Sequence, residues 1–370
     1  MAEQARRGGR GWRFWIDRGG TFTDVVGCDP EGRLRVRKVL SEQPERPSDP
    51  AVRAIQELLG LGDGPIPDGW VDEVRLGTTV ATNALLEHHG APVVLLINRG
   101  LADLLRIGDQ HRPDIFALAI ERPRPLDVRV IEVGGRLAAD GRELEPLQLD
   151  GPLAIRLREA QAAGYRSCAV ALLHSCRQSA HEQQLAAWLA PFGFEEIALS
   201  HQLSAQPRLV PRGHTTLVEA AVAPVLDAYL AQVRSALGPG PRLRVMCSSG
   251  VLAAPAQLHA KDTILSGPAG GMVGAVAVAR LGLAAAGEPE CPVVGFDMGG
   301  TSTDVFHFAP ELGALAWERQ PETEIAGLRL QAPMLPIHTV AAGGGSIVHF
   351  DGMRLQVGPE SAGANPGPAA

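Results

Sequence analysis

A chain of 370 residues, 45% hydrophobic and 20% charged, has enough apolar content for two or more packed cores and is not compositionally disordered. Its 34 basic residues against 41 acidic ones give a net charge of −7, which repels a phosphate backbone and excludes nucleic acid as a general electrostatic partner. Five scattered cysteines with no CxxC pair (Cys28, Cys168, Cys176, Cys247 and Cys291) point to free thiols, and so to the cytoplasm as the expected location.

In chain order, residues 1–11 are basic, lack the apolar run of a signal peptide, and are expected to form a disordered tail. Alternating apolar positions predict strands over 12–16, 22–27 and 33–40, a three-stranded meander. Helical and strand patterns then alternate through DPAVRAIQELLGL, VDEVRL, TVATNALLEHHG and APVVLLIN, the order of an α/β layer. After a loop over 113–125 the alternation resumes with a helix over 153–163, the strand SCAVALLH and a helix over 182–189. A long apolar helix over 215–237 is expected to stop at GPGP. KDTILSGPAGG reads as strand, turn and helix start. The run 273–287, interrupted by Arg280 and glycines, falls short of the ~20 apolar residues of a membrane span and reads as a buried helix, with no membrane partner. A linker-like AAAGEPECP follows, and then the opening pattern restarts, with a third strand expected near 315–318.

The restart is the most informative feature. DRGGTFTDVV (17–26) and DMGGTSTDVF (297–306) share Asp, Gly, Gly, Thr, Thr, Asp and Val at a constant offset of 280, which predicts two lobes built by duplication, 12–285 and 293–370. Paired glycines between strands permit positive φ and close approach of backbone N–H groups to a phosphate. A strand-ending aspartate suits Mg²⁺, which keeps several waters and takes one or two carboxylates. One such turn is ordinarily a capped hairpin. Two turns can hold a metal–nucleotide complex from both sides, as phosphoryl transfer requires, so an ATP clamp between lobes is expected. Walker and GxGxxG loops are both absent, and the only lysines are Lys38 and Lys261.

The words WRFWIDRGGTFTDVVG, LGTTVATNALLE, IGDQHRPDIFALAI, VPRGHTT, KDTILSGPAGG, GFDMGGTSTDV and VAAGGGSIVHFDG through VGPESAGANPGPA run from Trp12 to the end of the chain. Together they resemble the hydantoinase A and 5-oxoprolinase group of the acetate and sugar kinase, chaperone and actin superfamily. The resemblance implies an α/β, actin-like (ribonuclease H-like) duplicated ATPase fold, with a first lobe carrying inserted α/β layers and a truncated second lobe. The adenosine-binding glycine motif of such proteins is expected beyond Ala370. It implies ATP, Mg²⁺ and, as a further ion, K⁺. The implied reaction is ATP-coupled opening of 5-oxoproline to L-glutamate, completed by a C-terminal portion or a hydantoinase B-type partner in a homo-oligomer. An N-methylhydantoinase or acetone-carboxylase type of activity, or a non-catalytic actin- or chaperone-like module, are the competing readings.

By position, Asp17 and Asp297 would be the catalytic pair, holding Mg²⁺ through water, while Gly19, Gly20, Thr21, Gly299, Gly300 and Thr301 would cradle phosphates. Thr23 and Thr303 are second-rank phosphate contacts, and Asp24 and Asp304 suit turn closure or strand capping at least as well as catalysis. Thr78 and Thr79, at a strand-to-helix handover, either meet a substrate carboxylate or merely cap the helix. Asn83, Gly267, Gly270 and Arg112 complete the substrate candidates. GGGS at 343–346 reads as a cleft-lining loop, and the histidines His88, His89, His338 and His349 lack metal-ligand spacing.

Overall fold

The computed structural model describes residues 11–41, 49–109, 116, 118–119, 123–300, 302–362 and 367. The tail 1–10 and the candidates Arg112 and Thr301 lie outside these residues. The chain opens with the expected meander, β1 (Trp12–Arg18), β2 (Phe22–Cys28) and β3 (Leu34–Leu40). On β1, Trp12, Phe14 and Ile16 point into the core while Arg13 and Asp17 face outward, the period of a half-buried strand. Helix α1 (Pro50–Leu59) follows, fixed at both ends. The Asp49 carboxylate accepts from the amides of Ala51 and Val52, Pro50 pre-sets the first turn, and Gly60 at φ 72° closes the last. Next come β4 (Val71–Thr78) and the seven-residue helix α2 (Val80–Leu86).

An inserted layer then forms from β5 (Val93–Asn98), α3 (Leu104–Ile107), β6 (Val128–Val133), a short hairpin β7 (Arg136–Leu137) and β8 (Glu143–Glu145), α4 (Gly151–Ala162), β9 (Ser167–Ala171), α5 (Ala180–Leu189), β10 (Glu196–Leu199) and α6 (Ser200–Leu203). Its parallel strands run β10-β9-β5-β6. The strand order reverses between β5 and β9, where open α/β sheets commonly bind ligands. Here the crevice is filled by Asn98, whose side chain donates to Gly135 O and accepts from the Leu173 amide. The chain closes this opening on itself.

Helix α7 (Leu209–Leu237) is the spine against which both sheets pack, with most of its first turns buried. It begins six residues earlier than the sequence pattern indicates, because Pro211 falls in the first turn, where a missing N–H costs nothing. Gly213 lets Leu105 pack close there: a Cβ would sit 2.8 Å from its methyl groups. Strands β11 (Arg242–Met246) and β12 (Leu252–Ala253) complete a six-stranded sheet of order β12-β11-β4-β1-β2-β3, in which β1, β4 and β11 are parallel.

Helix α8 (Ser266–Ala286) leads into the second half. KDTILS forms a 3₁₀ turn, not the expected strand, and SGPAGG is helical from Ser266 onward. The expectation of a buried helix over 273–287 also fails. Only Ser266, Ala269, Met272 and Val276 of α8 are buried, and Val278 and Leu281 are exposed. As a continuous 21-residue helix, α8 is long and apolar enough to cross a membrane by length and composition, as is the mostly buried α7. Ala269, Met272 and Val276 pack with Phe306 and Phe308 in a core separate from that of the first sheet.

The second half repeats the meander as β13 (Val293–Met298), β14 (Thr303–Phe308) and, after the hairpin β15 (Thr323–Ile325) and β16 (Leu328–Leu330), β17 (Ile337–Val340). The third strand is therefore not near 315–318, which lies in a 3₁₀ segment and the turn after it. Cross-strand partners give the reason. Lys38 opposes Asp24 and Thr339 opposes Asp304, so the offset of 280 at the aspartates becomes 301 at the third strand. The inserted residues reach back to the first core, where Leu330, Ala332 and Met334 are buried. The hairpin β18 (Ser346–Phe350) and β19 (Leu355–Ser361) ends the described chain.

Candidate functional site

The two repeated turns have matching geometry. In the first, Asp17 pairs with Asp24 and Arg18 with Thr23 across the hairpin; in the second, Asp297 pairs with Asp304 and Met298 with Thr303. Each turn is tied by an amide of its first glycine, Gly19 N–H to Phe22 O at 3.0 Å and Gly299 N–H to Ser302 O at 2.9 Å. None of Gly19, Gly20, Gly299 and Gly300 adopts positive φ, contrary to the sequence argument. Clearance is tight only at Gly19. A Cβ on Gly19 would come 3.0 Å from Phe22 O, and one on Gly20 3.5 Å from Asn83 Nδ2, which brings Asn83 beside the first turn.

Thr23 and Thr303 do not face the turn opening. Thr23 is fully buried and shares a 2.9 Å hydrogen bond with Ser41, whose hydroxyl donates to Gly19 O. Thr303 donates to Ala342 O at 2.5 Å. Both hydroxyls brace their turns from behind. Asp24 and Asp304 are likewise engaged, with Lys38 at 2.7 Å and Thr339 at 2.6 Å, which favours the strand-tying role for them. The loop 343–345 lies on the second turn: Gly344 N–H donates to Gly299 O at 2.9 Å and Gly345 N–H to Gly300 O at 2.7 Å.

Asp17 and Asp297 converge on the first turns of α8. A Cβ on Gly267 would stand 3.9 Å from Asp17 Oδ1, and one on Gly271 3.8 Å from Asp297 Oδ2. These glycines are one helical turn apart, about 6 Å along the axis. Asp17 sits low in this cleft although its tip reaches solvent. The displaced water, together with the negative charges of Asp24 and Asp297, pushes its carboxyl above the ordinary range. Burial, and again Asp297, raise Asp304, against a lowering hydrogen bond from Thr339. A depression of ≈180 Å³ lies beside Asp297, lined by Pro268, Gly271, Ala275 and Phe306. Among the described residues no three His, Cys, Asp or Glu side chains gather to ligate a metal directly. Two mutually repelling carboxylates facing space left by two glycines do fit Mg²⁺ held through its own waters.

Of the substrate candidates, Gly267 borders the cleft, whereas Gly270 faces Met246. Thr78 is fully buried and its hydroxyl accepts the Val80 amide; Thr79 uses both its amide and its hydroxyl on Arg18 O. A larger cavity of ≈590 Å³, walled by Leu95, Leu105, Val128, Val210 and His214, is rimmed by Asp109 and Arg124, which flank the segment bearing Arg112. Fifteen residues of α7 separate His214 there from Tyr229, which touches Arg18 next to the first turn. That is about 22 Å of helix, so this cavity is remote from the turns.

Sequence reasoning left VPRGHTT without a task. Arg212 is fully buried and donates to Ser200 Oγ, Gln206 O, Pro207 O and Leu172 O. His214 Nε2–H donates to Leu105 O while Nδ1 accepts the Arg329 amide, and Thr215 accepts the Gln331 amide. The motif fastens the inserted layer and the returning hairpin to α7.

Fold and site together define a two-part α/β protein with duplicated glycine turns facing each other across one helix. Two consecutive family profiles match it, hydantoinase/oxoprolinase N-terminal region over residues 13–191 and hydantoinase/oxoprolinase over 212–370, and the chain belongs to the hydantoinase/oxoprolinase family. It is 39% identical to 5-oxoprolinase 1 of Arabidopsis thaliana over 96% of its own length and 30% of that protein. It is 33% identical to caprolactamase subunit alpha of Pseudomonas jessenii over 96% of its length and 51% of that subunit. The chain thus spans about a third of the curated 5-oxoprolinases it matches. The crystal structure of the ATP-dependent caprolactamase from Pseudomonas jessenii superposes with a TM-score of 0.74 at 32% identity, covering 96% of this chain and 52% of that one. The nucleotide-free acetone carboxylase also gives 0.74, at 24% identity, over 95% and 51%, a likeness of fold.

Proposed function

We propose that this chain is the ATP-binding, lactam-activating part of an enzyme that opens 5-oxoproline to L-glutamate while cleaving ATP to ADP and phosphate. The observation that carries this is the convergence of Asp17 and Asp297, from equivalent turns, on Gly267 and Gly271 of α8. An amide carbonyl is a poor electrophile because of its resonance. Transfer of a phosphoryl group to the lactam oxygen makes the ring carbon open to attack by water, with phosphate as the eventual leaving group. Phosphoryl transfer asks the protein for positioning and charge neutralisation. The glycine turns would cradle the phosphates, and Mg²⁺ held through water by Asp17 and Asp297 would neutralise their charge when bound.

The two-lobed, actin-like architecture is part of the same proposal. It is supported by the first-sheet order β3-β2-β1-β4-β11 and by the repeated hairpin register. K⁺ as a further ion, a C-terminal portion or hydantoinase B-type partner, homo-oligomerisation and a cytoplasmic location belong to it as well. The all-free cysteines agree with the last. The caprolactamase likeness favours one alternative within the same chemistry, a different lactam. The test is Asp297→Ala in a chain extended to the length of its relatives. Lactam-dependent phosphate release is expected to vanish while the folded signal persists; near-normal turnover that still requires Mg²⁺ would overturn the assignment.

A further inference from the structure

Behind the first turn, on the face of β1 opposite Asp17, three buried donor atoms make no well-formed hydrogen bond among the described residues, the Tyr229 hydroxyl lying beside that of Thr78. Arg18 follows Asp17, so strand alternation sends its side chain to the other face. There its guanidinium stands 4.8 Å from the centre of the Tyr229 ring, and its Nε is 3.6 Å from Asp49 Oδ2. That distance makes an ion pair but not a hydrogen bond. Asp49 is already committed, since its Oδ1 caps α1 through the amides of Ala51 and Val52 at 2.9 and 3.3 Å. One turn along α1 is Arg53, only 3% exposed, whose charge also acts on Asp49. Six buried side-chain N or O atoms lack a hydrogen-bond partner among the described residues, and three of them are Arg18 Nε, Arg53 Nη1 and Tyr229 Oη.

Among the described residues, two guanidinium groups against one carboxylate leave a positive charge uncompensated in this cluster. A buried Arg without an acceptor is a costly arrangement. It is explained if an acceptor arrives with a ligand. We infer that Arg18, Arg53 and Tyr229 form a site for a single carboxylate, reached beside the first glycine turn, and that it takes the carboxylate of the lactam substrate. The inference rests on the 5-oxoproline reading, because 5-oxoproline carries a carboxylate that simple lactams lack. Arg18 is the entry, its side chain being 21% exposed at the end of β1. A carboxylate supplies acceptors for the forked guanidinium donors and for the phenol hydroxyl together. This moves substrate recognition from the hydroxyls of Thr78 and Thr79, which are engaged with the backbone, to the donors next to them.

The test compares 5-oxoproline, its carboxylate-free analogue 2-pyrrolidinone, and acetate, by calorimetric titration and thermal unfolding of the chain and of Arg53→Met and Arg53→Lys. 5-Oxoproline is expected to bind at least about tenfold more tightly than 2-pyrrolidinone, the value of one charge-assisted hydrogen bond. Arg53→Met should erase that preference without lowering the melting temperature of the ligand-free protein, since an unpaired buried charge has been removed. Arg53→Lys should keep part of the preference. If acetate binds in an Arg53-dependent way but 5-oxoproline does no better than 2-pyrrolidinone, the carboxylate site stands and the 5-oxoproline reading falls. If neither carboxylate binds in an Arg53-dependent way, or if Arg53→Met melts lower and still prefers 5-oxoproline, the site is structural and the inference is wrong.

Discussion

Replacing Gly343 by alanine should unseat the second turn. An added Cβ would lie 2.6 Å from Gly299 O and from the carbonyl carbon of Gly300, and 2.7 Å from Gly300 O. All three are backbone atoms, so no flexible side chain can move aside. The clash falls on the two bonds that hold the turn, Gly344 N–H to Gly299 O and Gly345 N–H to Gly300 O. Losing both costs about 1–3 kcal/mol, and overpacking adds about 1–3. The lower chain entropy of unfolded alanine returns about 0.4–1. The net is roughly 1–5.6 kcal/mol, equivalent to at least about 5-fold and up to about 10,000-fold faster amide exchange in peptides covering β13, β14 and β17. Hydrogen-exchange mass spectrometry reads this directly. Gly274→Ala, on an open face of α8 where a Cβ meets nothing within 4 Å, is the control of opposite sign, stabilising by about 1 kcal/mol. Unchanged exchange in Gly343→Ala would refute the claim that this loop holds the turn.

Arg212→Met should destabilise the chain by about 3–5 kcal/mol, because it takes the buried donor away from Ser200 Oγ and from the carbonyls of Leu172, Gln206 and Pro207; an unchanged urea midpoint would contradict this. Asp17 keeps its proton to higher pH in the folded chain than its ordinary 3.8, so folding takes up a proton above that value and its contribution to stability falls as pH rises. Asp17→Asn is therefore expected to be more stable than wild type at pH 7, with the gap closing as pH drops below about 4. A gap of the same size at both pH values, or of reversed sign at pH 7, would show that Asp17 is not under repulsion.

The sequence was most readable where backbone chemistry repeats. The two decamers placed both hairpins correctly, because an Asp-Gly-Gly-Thr turn between alternating strands leaves few registers open. The third strand of the second meander was missed because the 280 offset breaks inside a loop, where insertions leave no periodic trace. The apolar pattern over 215–237 does not reveal the first six residues of α7, where Pro211 is a first-turn proline. The composition of α8 suggests burial, but hydrophobicity without a polar face does not say which side finds a partner. Site residues divided along a similar line. Asp17, Asp297 and the glycines sit at turns whose geometry is local. The roles of Thr23 and Thr303 depend on distant partners, Ser41 and Ala342, and no spacing encodes those. Arg18, Arg53 and Tyr229 come from a strand, a helix and another helix more than 150 residues apart, so only the folded chain brings them together.

The most direct test of the central claim is phosphate release from ATP by the chain extended to the length of its relatives, with 5-oxoproline, N-methylhydantoin and acetone supplied in parallel with Mg²⁺. The proposed function requires 5-oxoproline to be the strongest stimulant, with glutamate and phosphate appearing together. Equal or stronger stimulation by either of the others, or ATP cleavage indifferent to all three, would contradict it.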